Sequence, residues 1–284
     1  MSQKTTLRTV STALAASTVV LLLAGCVGQS SSEPSASTPP ASPSRPSVTS
    51  SAPASPSADG VSESEAVSLV EDYLTAFQEE RFADAYTLLS EGAQSIAGPA
   101  ERFADTAVGG FVRVDDATGY LGTDGVITAG PGPVDDAVLV TAVADRHADA
   151  WIVRDTPEGP RIDDAGVPLT GQSPYEWVNP ASGPEDIRDV TPVDPTAPAA
   201  IVFADRGDGA EDGASLVGDP DQIVAYIGTT EVTASAAASE SQRRWDIALD
   251  SVAPSADVQP LTVAWRVSDD LDVWRTSTTP LYTG

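Results

Sequence analysis

The chain has 284 residues, 15 Lys+Arg against 42 Asp+Glu and a formal net charge of -27. Charge of that sign repels nucleic-acid phosphate, which excludes non-specific DNA or RNA binding, and offers no polybasic surface to anionic lipid. One Cys and one His exclude an intrachain disulfide framework, a multi-Cys zinc site and every two-His metal motif, while 41% hydrophobic content is enough for a folded core.

Lys4 and Arg8 precede an apolar run from Val10 to Ala24. That run is about 15 residues, short of the roughly 20 that a spanning helix needs. A charged start, a short apolar middle and a small-residue end predict a secretory signal peptide over residues 1–25. No twin-Arg pair precedes the apolar run, which favours the general secretory route. The run closes with Leu23-Ala24-Gly25-Cys26, which resembles the lipobox of bacterial lipoproteins. The resemblance implies recognition of Leu23, Ala24 and Gly25 by the signal peptidase. It also implies a Cys26 thioether to diacylglycerol, Cys26 as the new first residue, and lipid anchoring at the extracytoplasmic face of the cell membrane. The single Cys of the chain stands at this position, where lipid would consume a thiol that is otherwise a liability outside the cell.

After residue 25 the chain keeps 13 basic groups, all Arg, against 42 acids, for a net charge of -29. Arg without Lys, with abundant Ala and Asp, is the composition of a GC-rich genome, as in actinobacteria. Residues 27–60 contain 12 Ser and 7 Pro and no apolar period. Such a segment cannot bury enough surface to offset its ordering entropy, so residues 26–60 are expected to be a disordered tether.

Helical signal begins at Ser62, where Ser62-Glu63-Ser64-Glu65 forms a capping box. Ala66, Val70, Tyr73, Leu74 and Phe77 then fall on one helical face. A second helix is predicted from about Phe82 to Leu89, ended by Glu91-Gly92, and a third piece from Pro99 to Ala107. After Gly109-Gly110 the period becomes that of strands. These are expected from Phe111, over Ala137–Val143, over Trp151–Val153, and in a closing turn-and-strand over Gly159–Asp164. Helices followed by antiparallel strands indicate an α+β domain over residues 61–172.

The stretches Tyr73-Leu74-Thr75-Ala76-Phe77 and Phe82-Ala83-Asp84-Ala85-Tyr86-Thr87-Leu88-Leu89, with Trp151-Ile152-Val153-Arg154 and Gly159-Pro160-Arg161-Ile162-Asp163 near the end, resemble the NTF2-like superfamily. The family usually places a Trp where Pro160 stands. The resemblance implies helices on a curved antiparallel sheet enclosing a cone. Exported modules of this family often act as spacers or docking domains.

Residues 173–198 are rich in Pro, Asp and Gly and are expected to link two domains, with Tyr175 and Trp177 docked on the first. From residue 199 to 284 the pattern is all-β, with strands at Ala200–Phe203, Ile223–Ile227, Glu231–Thr233, Trp245–Leu249, Leu261–Val267 and Asp272–Arg275. This spacing predicts a β-sandwich-like domain of immunoglobulin-like architecture, with a loop over Ala234–Ser239.

Chemistry has few carriers. His147 lies in Asp145-Arg146-His147-Ala148-Asp149-Ala150-Trp151, where an extended chain would put Asp145, His147 and Asp149 on one face as a candidate polar site. The flanking apolar runs instead make Asp145–Asp149 a turn. A cone would be lined by Tyr73, Phe77, Tyr86, Phe103 and Trp151, whose simplest role is core packing. The acidic loop Asp205–Gly213 fails the EF-hand spacing, so no metal and no cofactor are expected. With no Lys and no free Cys left after maturation, and no nucleophile elbow, the balance leans away from an enzyme. The expectation is an envelope lipoprotein that binds, docks or scaffolds another envelope protein. The alternative is a small-molecule binder or small enzyme using the cone.

Overall fold

The computed structural model describes residues 60–106, 114–145, 147–164, 175–179, 198–203, 223–237, 243–249, 257–267 and 272–281. The signal segment, Cys26, the tether, the loop Asp205–Gly213 and most of the Pro-rich link lie outside these residues. The fold is mixed α+β, with antiparallel sheets throughout.

Among the described residues five helices come first: α1 (Glu63–Gln78), α2 (Phe82–Thr87), α3 (Glu91–Ala97), α4 (Ala100–Thr106) and α5 (Val114–Tyr120). The capping box forms as the spacing predicts. The Glu65 N–H donates to Ser62 Oγ at 3.3 Å, and the Ser62 N–H donates to Glu65 Oε2 at 3.1 Å. Two helices depart from expectation. Glu91-Gly92 does not end a helix but opens α3, because the Ser90 hydroxyl accepts from the Ala93 N–H at 3.1 Å and caps a new start. Val114, expected in a strand, opens α5, whose buried Ala117 and Tyr120 follow a helical i, i+3 spacing.

The strands are β1 (Val126–Pro131), β2 (Ala137–Ala144), β3 (His147–Arg154), β4 (Arg161–Ile162), β5 (Tyr175–Asn179), β6 (Ala199–Phe203), β7 (Ile223–Ile227), β8 (Thr230–Val232), β9 (Ala234–Ala236), β10 (Arg243–Ile247), β11 (Gln259–Arg266) and β12 (Trp274–Leu281). They make three four-stranded sheets. The first has order β1-β2-β3-β4, the middle one β12-β11-β7-β8, and the outer one β5-β6-β10-β9. Strand β1 and strand β9 fall where no strand was expected. Tyr175 and Trp177 belong to β5, which pairs with β6. Trp177 joins the apolar cluster shared by the middle and outer sheets, and its Nε1–H donates to Ser277 Oγ at 2.9 Å. They are therefore not docked on the first sheet, because β6 offers the five-residue segment a ladder.

The layers stack in the order helices, first sheet, middle sheet, outer sheet. Val138, Val140, Trp151 and Val153 face the helices. On the opposite face of the same strands, Leu139, Ala150 and Ile152 meet Tyr226, Ala264 and Trp274 of the middle sheet. Leu261, Val263 and Trp265 of the middle sheet then face Ile201, Phe203 and Ile247 of the outer one. Strands β2, β3 and β11 are thus buried on both faces. Two-sided burial explains why Ala137–Val143 and Leu261–Val267 read as near-continuous apolar runs rather than as alternation.

Polar groups seal the joint between the first and middle sheets. Asp163 and Asp164, just after β4, are both buried. Asp163 Oδ2 accepts from the Trp274 N–H at 3.3 Å, and Asp164 Oδ2 accepts from the Thr276 N–H at 2.8 Å. The Thr276 hydroxyl also lies 2.8 Å from the Ala150 carbonyl oxygen of β3. Arg154 lies 3.5 Å from Asp163 and 3.2 Å from Asp272, so it ties β3 to the turn before β12. Burial raises the Asp163 carboxyl above its ordinary range, against the lowering pull of the Ser90 hydroxyl, Arg154 and the Trp274 N–H.

Two predictions follow from this joint. Trp274→Ala removes a fully buried side chain and should cost about 3–5 kcal/mol, with near-UV and far-UV signals still lost in one urea transition; two separated transitions would show that the layers are independent. Asp163 has a folded pKa above its unfolded one. Its stabilising contribution is therefore complete below the unfolded value and is lost as pH rises through the folded one. Asp163→Asn should flatten the dependence of melting temperature on pH from about pH 4 upward, measured by scanning calorimetry.

Candidate functional site

Of the polar residues nominated from sequence, His147 and Asp149 meet helix α5. Asp145 is the turn residue between β2 and β3, with φ +52°. His147 opens β3, and Asp149 and Trp151 follow on the face that packs against the helices. His147 and Asp149 stand two residues apart on the same face of β3, about 7 Å along the strand, and each meets a different residue of α5. The carboxylate beside His147 comes instead from α5: Asp116 Oδ1 lies 3.5 Å from His147 Nδ1. One turn on, the Tyr120 hydroxyl donates to Asp149 Oδ2 at 2.9 Å, in a buried setting. Tyr120 also meets Trp151 edge-on, with ring centroids 6.2 Å apart.

Asp116 and Tyr120 were not nominated from sequence. Their i, i+4 spacing, with Ala117 between them, puts both on one face of a helix. That signal was readable, but the apolar pattern around Phe111–Val114 drew the segment toward a strand. The resulting arrangement is a polar latch in two steps. Asp116 and His147 form a part-exposed outer pair, and Tyr120 and Asp149 a buried inner one. The outer pair lies beyond normal hydrogen-bond length and contributes little on its own. The inner pair places a donor on a buried carboxylate, where losing the donor is costly. Trp151 Nε1 is buried next to this latch and has no hydrogen-bond partner among the described residues.

The aromatic residues nominated as cone lining pack against each other. Tyr73 and Phe77 of α1 stand 4.8 Å apart between ring centroids, and Phe77 meets Phe103 of α4 at 5.8 Å, edge to face. Tyr86 of α2 lies 5.6 Å from Phe103, and its hydroxyl donates to the Gly98 carbonyl at 2.8 Å. Phe82 closes on Phe77 at 5.4 Å. Tyr73, Phe77, Phe103 and Trp151 are all buried. Such spacings are those of aromatic core packing. These side chains belong to the core between helices and sheet, with Tyr86 partly buried at its margin.

Comparison with models of protein families, with curated proteins and with solved structures gave no match for this chain. Among the described residues no group of three or more His, Cys, Asp or Glu side chains could hold a metal ion, and no helix is long and apolar enough to cross a membrane.

The two steps of the latch should separate in mutants. Tyr120→Phe leaves the buried Asp149 without this donor and should cost about 1–3 kcal/mol, whereas His147→Ala should stay within about 1 kcal/mol. Urea denaturation of both variants checks the order; equal losses would contradict it.

Proposed function

We propose that this chain is an extracytoplasmic lipoprotein, anchored in the cell membrane through Cys26, whose folded part docks or scaffolds another envelope protein without enzymatic chemistry. Its first half is read as an NTF2-like module and its second half as a sandwich of immunoglobulin-like architecture. The anchoring rests on the lipobox-like Leu23-Ala24-Gly25-Cys26 and on the charged and apolar stretches before it. The NTF2-like assignment is supported by helices packed on an antiparallel sheet and by the motifs around Tyr73–Phe77 and Phe82–Leu89.

The observation that carries the non-enzymatic reading is the packing of the candidate cone. A ligand there would have to displace Phe77 and Phe103, each in edge-to-face contact with neighbouring rings. The latch residues are likewise engaged, Asp149 with Tyr120 and His147 with Asp116. Function then falls to the surface. Excess negative charge there selects cationic partners and speeds their encounter at low salt.

Palmitate labelling in the producing cell tests the anchor. The wild-type chain should take up label and sediment with membranes, and Cys26→Ser should do neither; label retained in Cys26→Ser would refute it. Photo-crosslinking from surface positions of the membrane-bound protein tests docking. Repeated recovery of one defined envelope protein supports it, and recovery of none contradicts it.

A further inference from the structure

Six strands end the three sheets, and their free sides are not alike. Strand β4 is closed by the helix connection: the Ile162 N–H donates to the Leu88 carbonyl at 3.0 Å, and the Ser90 N–H to the Ile162 carbonyl at 2.8 Å. Strand β12 is closed by carboxylates at its first two outward positions. Because its Trp274 and Thr276 N–H groups turn away from β11, its outward positions are the even-numbered ones. Asp163 and Asp164 take the first two, and Pro280 has no N–H to offer. Strands β8 and β9 have three residues each. Strand β5 carries Glu176 and a register shift between Trp177 and Asn179, both devices that discourage pairing.

Strand β1 has one of these devices, Pro131 at its last outward position, which offers no N–H there, and none at Ile127 or Ala129. It runs six residues, Val126-Ile127-Thr128-Ala129-Gly130-Pro131, with no charge and an unbroken register against β2. The Gly132 N–H donates to the Ala137 carbonyl at 3.0 Å. Alternation then turns the N–H and C=O groups of Gly130, Thr128 and Val126 toward β2, and those of Ile127 and Ala129 outward. Among the described residues no backbone partner meets Ile127 or Ala129 on that side. Val126, at 58% exposure, is the most exposed large apolar side chain among the described residues. An exposed carboxylate stands near each end of the edge, Asp124 before β1 and Asp135 in the turn after it.

We propose that the outward edge of β1 is a strand-addition site for an extended segment of a partner protein, uncharged in the middle and carrying Arg or Lys at its ends. This deepens the docking role proposed above and rests on it. Main-chain hydrogen bonds to Ile127 and Ala129 hold the segment, Val126 contacts an apolar side chain, and Asp124 and Asp135 select basic ends. A second copy of this chain fits less well, because both partners would bring a net charge of -27.

The test uses the full chain in detergent with two end-blocked synthetic peptides, Arg-Arg-Thr-Val-Thr-Val-Thr-Arg and Glu-Glu-Thr-Val-Thr-Val-Thr-Glu, read by residue-resolved amide exchange. The basic peptide should slow exchange at Ile127 and Ala129 at least tenfold, and the acidic one should not. Ala129→Pro removes an outward N–H without breaking the β1–β2 ladder, so it should abolish protection at unchanged melting temperature. The double variant Asp124→Arg, Asp135→Arg should reverse the peptide preference. Protection by neither peptide, or protection unaffected by Ala129→Pro, overturns the site. Protection that rises with protein concentration alone gives the edge to a second copy and overturns the basic partner. If crosslinking in cells recovers a partner while the peptides leave β1 unprotected, docking survives and this site fails. If the peptides protect β1 and cells yield no partner, the site stands and the docking role fails.

Discussion

Two buried carboxylates organise the molecule. Asp163 and Asp164 follow β4 of the first sheet and accept the outward N–H groups of β12 in the middle sheet. They act where a neighbouring strand would, at the start of the outer edge of β12. Burying an acid pair is costly unless its oxygens are satisfied, and here backbone amides, the Thr276 hydroxyl and Arg154 supply the partners. The apolar contact of Leu139 and Ile152 with Trp274 lies beside this network. Register is thereby set in both sheets, since a one-residue slip of β12 would turn Trp274 into the other face and move both amides out of reach. Tyr226, buried in the same contact without a hydroxyl partner among the described residues, shows that packing outweighed complete polar satisfaction there.

Much of the architecture was legible from local rules. The capping box at Ser62, the helical faces of α1 and α2, and the strong runs at β2, β7 and β11 follow from spacing alone, because each satisfies its own requirements within a few residues. What was misread depends on distant partners. Strand β5 exists because β6 offers it a ladder, and the Pro-rich text around Tyr175 hides that. Helix α3 starts at a Ser90 cap that also resembles a helix end. The continuous apolar runs of β2 and β11 already carried the mark of two-sided burial, yet sequence cannot say which sheet covers the second face. In the site, His147 was nominated from sequence, but its neighbour Asp116 lies on a helix 31 positions earlier, a pairing that packing of α5 on β3 creates.

The residues nominated for a pocket or a dyad take part in packing. The aromatic rings nominated as cone lining pack helix on helix within the core shared with the first sheet, and the Tyr120–Asp149 bond ties α5 to β3. A body with one stack of four layers presents its edges and acidic faces in fixed relation. Under the docking role proposed above, such edges would offer a partner one constant surface.

Native-state hydrogen exchange at the Trp274 and Thr276 amides tests the account most directly. If Asp163 and Asp164 lock the two sheets into one unit, both amides should exchange only through global unfolding, with the same free energy and denaturant dependence as the most protected amides of β2 and β3. Exchange of these two amides by a low-energy opening, while β2 and β3 stay protected, would contradict it.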